Sequence, residues 1–173
     1  DVTIDRFYRG INKVEPSLIR TEADELTYHF HIMIRYELEK LLLEGSLAVN
    51  DIPAYWNEQY LKYLGVTVPN DTKGCLQDVH WSHGSFGYFP TYSLGSFYAA
   101  QFYNAANQAI PELNSQIQKG DTSALLEWLS KRVHRFGRKY ISEDLSKVVS
   151  GEPLNIENFV VYVSAKYKYI YDF

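Results

Sequence analysis

The chain has 173 residues, of which 46% are hydrophobic and 22% are charged, so its composition is that of one globular domain and not that of a disordered chain. The formal net charge of −4 gives no general attraction to nucleic acid or anionic membranes, and no apolar run approaches the roughly 20 residues that cross a bilayer. The one cysteine, Cys75, cannot form an internal disulfide, which favours a reducing compartment.

The first predicted element is a long helix that opens near Thr21 and stops at Gly45. Thr21 is followed three residues later by an acid, as in a capping sequence. Apolar residues then recur at helical intervals at Ala23, Leu26, Phe30, Met33, Ile34, Leu38, Leu41 and Leu42. A second helix is predicted from its cap at Asp51 to Gly65, followed by a loop over residues 66–75, which are rich in helix breakers.

The segment 76–95 is unlike an ordinary helix, because it combines two histidines, a tryptophan, four further aromatics, three glycines and a proline. Helices are predicted to begin near Tyr92, Ser123, Ile141 and Ile156. The helix from Ser123 is expected to run to Gly137. No alternating strand pattern is longer than residues 65–68, so the predicted fold class is all-α, with several helices and no internal repeat.

Two pairs of side chains in this segment could carry chemistry. His80 and His83 are three residues apart and could ligate one metal ion, but no Asp or Glu stands at a spacing that completes the site. The favoured alternative is that one histidine caps a loop and the other packs among aromatics. Tyr88 and Tyr92, four residues apart, could donate hydrogen bonds to a developing oxyanion, or could simply belong to the core.

Arg20 lies just before the first predicted helix, where the helix dipole favours anions. Its guanidinium, together with the amides of a helix start, would suit a carboxylate ligand. The alternative is a salt bridge to Asp24 or Glu25, and position alone favours that alternative.

The basic run at residues 131–139 could bind RNA or a phosphate. Val133 and Phe136 fall inside it at a core spacing, however, and the chain as a whole is acidic. A solvated helix face is therefore the favoured interpretation, and no nucleic-acid partner is expected.

Two longer strings resemble motifs of one known family. Residues 19–24, Ile-Arg-Thr-Glu-Ala-Asp, resemble the Ile-Arg-x-x-Ala-Asp motif of the carboxypeptidase Taq family. Residues 74–81, Gly-Cys-Leu-Gln-Asp-Val-His-Trp, resemble that family's Gly-x-x-Gln-Asp-x-His-Trp motif. The segments 82–92 and 51–57 are also similar to the family, and the resemblance extends in order over nearly the whole chain.

The resemblance implies a zinc-dependent metallocarboxypeptidase that removes single residues from peptide C-termini with broad specificity. Members are almost entirely helical, with the metal at the floor of a long groove, and are typically cytoplasmic homodimers. The family's His-Glu-x-x-His helix, its later glutamate ligand and its Asp-x-Arg-x-Thr motif are absent here and lie upstream in the family. Residues 1–173 are therefore expected to be the C-terminal part of such an enzyme, forming one wall of a deep substrate groove.

This division of the enzyme sets the roles expected of the chain. Arg20 would pair with the terminal carboxylate of the peptide. Gln77 and Asp78, near that substrate site, would orient the groups that bind the oxyanion or hold the backbone. The oxyanion would be bound by a histidine and a tyrosine from among His80, His83, Tyr88 and Tyr92. The zinc ligands would lie in the missing N-terminal part, so the chain alone should bind no zinc and be inactive. The alternative is a non-catalytic helical module that binds a peptide or protein.

Overall fold

The computed structural model describes residues 1–173 and contains helices but no strands, which confirms the predicted all-α class. The α-helices are α1 (Ile4–Ile11), α2 (Tyr28–Leu43), α3 (Ile52–Leu64), α4 (Pro90–Ala109), α5 (Leu113–Gln118), α6 (Ser123–Arg132), α7 (Ser142–Ser150) and α8 (Glu157–Tyr171). Short 3₁₀ turns occur at Arg20–Glu22, Val49–Asp51, Asp71–Lys73, Trp81–His83 and His134–Phe136. None of the helices combines the length and the apolar character needed to cross a membrane.

The chain divides into two compact units, and the first comprises residues 1–93. Its core lies between α2 and α3, where Trp56 stacks on Tyr60 with ring centroids 4.9 Å apart. The buried core residues are Ile34, Leu38, Trp56, Tyr60, Leu64 and Cys75. Each large side chain removed from water in this way contributes roughly 1.5–3 kcal/mol, so this core fixes α2 relative to α3.

The second unit comprises residues 94–173. Its buried apolar residues are Ala106, Leu113, Val149, Phe159, Val163, Tyr167 and Ile170. The buried Gln101 side chain ties α4 to the turn after α7: its Nε2 donates to Ser150 Oγ (2.8 Å) and to the Pro153 carbonyl (3.0 Å), and its Oε1 accepts from the Asn155 amide (2.8 Å). Buried polar groups need such partners, and one amide side chain supplies several here.

The start of α2 differs from the prediction. Residues Arg20–Glu22 form a 3₁₀ turn, Ala23 is extended, and α2 begins at Tyr28. The side chain that caps the following turn is Asp24, whose Oδ1 accepts from the amides of Leu26 and Thr27, both at 2.9 Å. Thr21 as the helix cap is therefore wrong, because the acid three residues later does the capping itself.

Other boundaries show how turn residues act. Gly65 ends α3 as predicted, in the left-handed conformation with φ +67° that glycine adopts at least cost. Asp51 precedes α3 but its side chain makes no capping bond. The helix predicted to reach Gly137 ends at Arg132, because Val133 leaves helical geometry at φ −121° and ψ −65°. The helices α1 and α5 were not predicted from the sequence.

The charged side chains of the basic run 131–139 are exposed, while Val133 and Phe136 are half-buried. This arrangement confirms that the run is solvated, although only its first two residues belong to an α-helix.

Candidate active site

Asp78, in the segment between α3 and α4, is the centre of a buried ionic cluster. Its Oδ1 accepts from Nε and Nη2 of Arg20 at 3.0 and 2.7 Å, and its Oδ2 accepts from Nε of Arg35 at 2.7 Å. The Asp78 side chain is 7% exposed and that of Arg35 is fully buried. Burial raises the pKa of the Asp78 carboxyl, but the charges and hydrogen bonds of Arg35 and Arg20 outweigh burial and hold the pKa below its ordinary value.

Gln77 joins this cluster to the backbone around it. Its Oε1 accepts from the Arg20 amide at 3.0 Å and from Arg35 Nη2 at 2.9 Å. Its Nε2 donates to the carbonyls of Leu18 and Gly74, both at 3.1 Å. The two segments that resemble family motifs, 19–24 and 74–81, are therefore hydrogen-bonded to each other.

Helix α2 presents a stripe of three buried polar residues, His31, Arg35 and Glu39, which we call the polar stripe. They are 0%, 0% and 2% exposed and recur every four residues, so they share one helix face. Arg35 binds Asp78, as described above. Glu39 Oε1 accepts from Trp81 Nε1 at 2.8 Å, and its Oε2 accepts from the Gly87 amide at 3.0 Å. Sequence reasoning missed all three residues, and their four-residue spacing was the available signal.

His31 lies at the N-terminal end of the polar stripe and bonds through Nδ1 to the Tyr60 hydroxyl at 3.0 Å. Burial, with Arg35 and Arg20 nearby, lowers the pKa of His31 to about 4, although Asp78 acts in the opposite direction. His31 is therefore neutral at pH 7.

His80 and Tyr92 form the next part of the site, with His80 Nε2 and Tyr92 Oη 2.9 Å apart. Burial lowers the pKa of the His80 imidazole, although Asp78 acts in the opposite direction, and burial raises the pKa of the Tyr92 phenol. Both side chains are therefore uncharged near pH 7. His80 Nδ1 is buried without a hydrogen-bond partner and lies 4.0 Å from Asp78 Oδ1.

Arg20 connects the ionic cluster to this pair. Its guanidinium carbon lies 4.9 Å from the centre of the Tyr92 ring, and its Nη1 donates to the Tyr28 hydroxyl at 3.0 Å. The alternative of a salt bridge to Asp24 or Glu25 is wrong, because the ion pair of Arg20 is with Asp78. Three of the five guanidinium N–H groups are engaged, which leaves one on each terminal nitrogen.

The other two candidates lie at the exposed edge of the site. His83 Nδ1 pairs with Ser85 Oγ at 2.9 Å, and its ring centroid is 6.0 Å from that of His80. The Tyr88 ring is half-exposed and contacts the rings of His80 and Tyr92, at 5.7 and 5.4 Å. Arg20, Gln77, Asp78, His80 and Tyr92 are thus brought together, with Tyr88 and His83 beside them.

No three His, Cys, Asp or Glu side chains in the chain lie close enough together to hold a metal ion. His80 and His83 have no third ligand, so the residues of this chain do not by themselves fit a metal.

An all-helical chain with these clustered motif residues is what the motif resemblance predicts for a metallopeptidase segment, and comparison with known proteins supports that class. The sequence profile of the carboxypeptidase Taq (M32) metallopeptidases matches residues 1–167. The chain belongs to this family.

Individual relatives agree with the profile. The chain is 44% identical over 171 residues to Carboxypeptidase 1 of Bacillus subtilis, covering 99% of this chain and 34% of that protein. It is 42% identical over 171 residues to Thermostable carboxypeptidase 1 of Thermus thermophilus, with the same coverage. The crystal structure of the M32 carboxypeptidase from Deinococcus radiodurans superposes with a TM-score of 0.95 at 41% identity, covering 99% of this chain and 35% of that one. The chain therefore spans about a third of the length of these relatives.

Proposed function

We propose that this chain is the C-terminal third of a zinc-dependent metallocarboxypeptidase, a cytoplasmic homodimer that releases single C-terminal amino acids from peptides with broad specificity. The zinc ligands and the general base belong to the part of the enzyme N-terminal to this chain. The chain contributes one wall of the substrate groove, with groups that bind the terminal carboxylate and the scissile carbonyl. The observation that carries this proposal is the surplus positive charge of the Arg20–Asp78–Arg35 cluster beside the His80–Tyr92 pair.

The carboxylate anchor follows from the charges of the cluster. Two guanidinium groups share the single carboxylate of Asp78, which leaves one positive charge without a counter-ion among them. A buried surplus charge is unfavourable, and a second carboxylate would neutralise it. Arg20 retains one N–H on each terminal nitrogen, and a planar pair of donors binds a carboxylate in two parallel hydrogen bonds. Arg20 is therefore the residue that binds the end of the peptide.

The carbonyl site follows from the His80–Tyr92 hydrogen bond. With its proton on Nε2, His80 donates to the phenol oxygen, and the Tyr92 hydroxyl is left to donate to the substrate. With its proton on Nδ1, the His80 N–H points toward Asp78, and His80 Nε2 instead accepts a hydrogen bond from the Tyr92 hydroxyl. A developing oxyanion favours the first tautomer, because only that tautomer supplies the donor. We therefore assign Tyr92 as the oxyanion donor, a role worth ~10²–10³ in rate, and His80 as the residue that orients it.

The role of Arg20 is tested in the complete enzyme by Arg20→Lys. This variant retains the charge beside Asp78 but removes the planar pair of N–H donors. We expect kcat/KM for a peptide with a free C-terminal carboxylate to fall about 10- to 100-fold, as loss of a charge-assisted bond implies. The same peptide with an amidated C-terminus should be hydrolysed slowly and equally by both enzymes. Arg138→Lys, at an exposed arginine, is the matched control. Unchanged kcat/KM for the free acid in Arg20→Lys would remove Arg20 from the anchor role.

A further inference from the structure

We propose that Glu39 is a positioning residue that fixes the loop 81–87 and so holds His80 and Tyr92 in contact. The restraint on the loop is a property of this chain, and its consequence for catalysis rests on the function proposed above. We call the pair of hydrogen bonds from Trp81 and Gly87 to Glu39 the carboxylate clamp.

The clamp is built from a buried carboxylate that forms no ion pair. Glu39 is 2% exposed, and no lysine, arginine or histidine forms an ion pair with it. Its two oxygens accept from Trp81 Nε1 at 2.8 Å and from the Gly87 amide at 3.0 Å. Hydrogen bonds to an ionised group are roughly twice as strong as neutral ones, and a buried carboxylate that forms no ion pair needs them to offset its lost hydration.

The Trp81 ring packs beside Trp56 and Phe89 and so holds the start of the loop, which leaves the exposed second half to depend most on the carboxylate clamp. Gly84 and Gly87 both have φ +79°, the left-handed conformation that glycine adopts readily, and residues 82–84 and 86–88 are exposed. Two backbone bonds, Gly84 N to the Trp81 carbonyl (3.1 Å) and Ser85 N to the His80 carbonyl (2.9 Å), fold the first half of the loop only. Glu39 reaches both ends of the loop from a rigid helix.

The ends of the loop are where the proposed site begins. His80 directly precedes Trp81, and Tyr88 directly follows Gly87. A bond from Glu39 to each end therefore limits how far His80 can move from α4, whose first turn carries Tyr92. Arg35, one helical turn before Glu39, also bonds from α2 to this segment, because its Nε donates to Asp78. The polar stripe thus fixes the segment 78–87 at three points along one helix face.

The test is Glu39→Gln in the 173-residue chain. A carboxamide has one acceptor oxygen and presents an NH₂ group to the other donor, so the variant breaks one bond of the clamp without changing the side-chain size. Glu37→Gln is the matched control, because Glu37 is a half-buried residue of the same helix that accepts from the Tyr63 hydroxyl and does not touch the loop. NMR measures the hydrogen exchange of the Gly87 amide and the titration of the His80 ring.

In Glu39→Gln we expect the Gly87 amide to exchange about 10- to 100-fold faster and the pKa of His80 to rise toward its ordinary value. Glu37→Gln should leave both measurements at their wild-type values. A folded Glu39→Gln chain with unchanged exchange and titration overturns the proposal. If Glu39→Gln does not fold, Trp81→Phe removes one donor and leaves the carboxylate in place. It should then produce the same two changes at smaller size, and their absence overturns the proposal equally.

Neither measurement uses peptide hydrolysis, so the clamp and the proposed function fail separately. If Glu39→Gln loosens the loop but leaves hydrolysis by the complete enzyme unchanged, the clamp stands and the catalytic role of His80 and Tyr92 falls. Unchanged loop dynamics, in contrast, removes the clamp and leaves the assignment of Tyr92 intact.

Discussion

Protonation of His31 should destabilise the chain at mildly acidic pH. The side chain is fully buried, and Nδ1 bonds to the Tyr60 hydroxyl. Burial lowers its pKa to about 4, with Arg35 and Arg20 acting in the same direction, while Asp78 opposes them only in part. A proton added there places a third positive charge beside two guanidiniums that share one carboxylate.

The sign and size follow from proton linkage. In the unfolded chain a histidine titrates near 6.5, so between that pH and about 4 the unfolded state binds the extra proton and the folded state does not. The contribution of His31 to stability is therefore complete above pH 6.5 and is lost as the pH falls. The two pKa values imply a loss of about 2 kcal/mol at pH 5 and about 3 kcal/mol at pH 4.

Urea unfolding at pH 8 and pH 5 measures this loss of stability by comparison with a variant that has no ionisable side chain at position 31. His31→Asn retains a polar atom near the position of Nδ1, and His134→Asn, at an exposed histidine, is the control. We expect wild type and His134→Asn to lose about 2 kcal/mol more between the two pH values than His31→Asn does. Burial also lowers the pKa of His29 and His80, but these residues are present in all three chains and cancel in the difference. Equal losses in all three chains would refute the reasoning.

Three further outcomes test the site and its cluster. Tyr92→Phe in the complete enzyme should lower kcat by ~10²–10³ with little change in KM, and an unchanged kcat would exclude its hydroxyl as the oxyanion donor. Asp78→Asn should destabilise the chain by about 3–5 kcal/mol in urea unfolding, because it leaves two buried guanidiniums without a counter-ion. Glu127→Gln, in an exposed ion pair that water screens, should change the stability far less. The purified chain should bind no stoichiometric zinc and hydrolyse no peptide. One tightly held zinc per chain by metal analysis would contradict the assignment of the ligands to the rest of the enzyme.

The helices could be predicted from the sequence wherever local chemistry decides them. The apolar spacing of α3 and the left-handed residue Gly65 agree with its observed bounds because both act within one or two turns. The start of α2 could not be predicted, because Thr21 and Asp24 are both good caps and the choice depends on Arg20. The Arg20 side chain binds Asp78, which lies 58 residues later in the sequence. This contact keeps residues 20–22 in a separate turn.

Sequence motifs predicted the positions of some of the clustered residues, and the roles of those residues stay predictions. The motif residues Arg20, Asp78 and His80 stood out as a pattern, and they lie together. Arg35 and Glu39 did not stand out, because a charged residue in a helix is normally solvated and a single sequence does not show burial. Their spacing from His31 was visible, but the apolar residues between them account for a core helix equally well. Only the packing of α3 and of the segment 77–87 against α2 shows that this polar face is enclosed.

The ionic cluster contains two arginines and one aspartate, and this ratio helps to distinguish an arginine with a structural role from one with a binding role. One arginine and one aspartate would make a neutral buried pair, and a well-packed apolar replacement would often be as stable. The second arginine adds a charge that packing does not require, and Arg35 is the fully buried one of the two. Because Arg35 is also anchored to the His31 carbonyl at 2.8 Å, it holds Asp78 in place. Under the function proposed above, Arg20, which has N–H groups left over beside Tyr92, is therefore the arginine that we expect to bind an incoming anion.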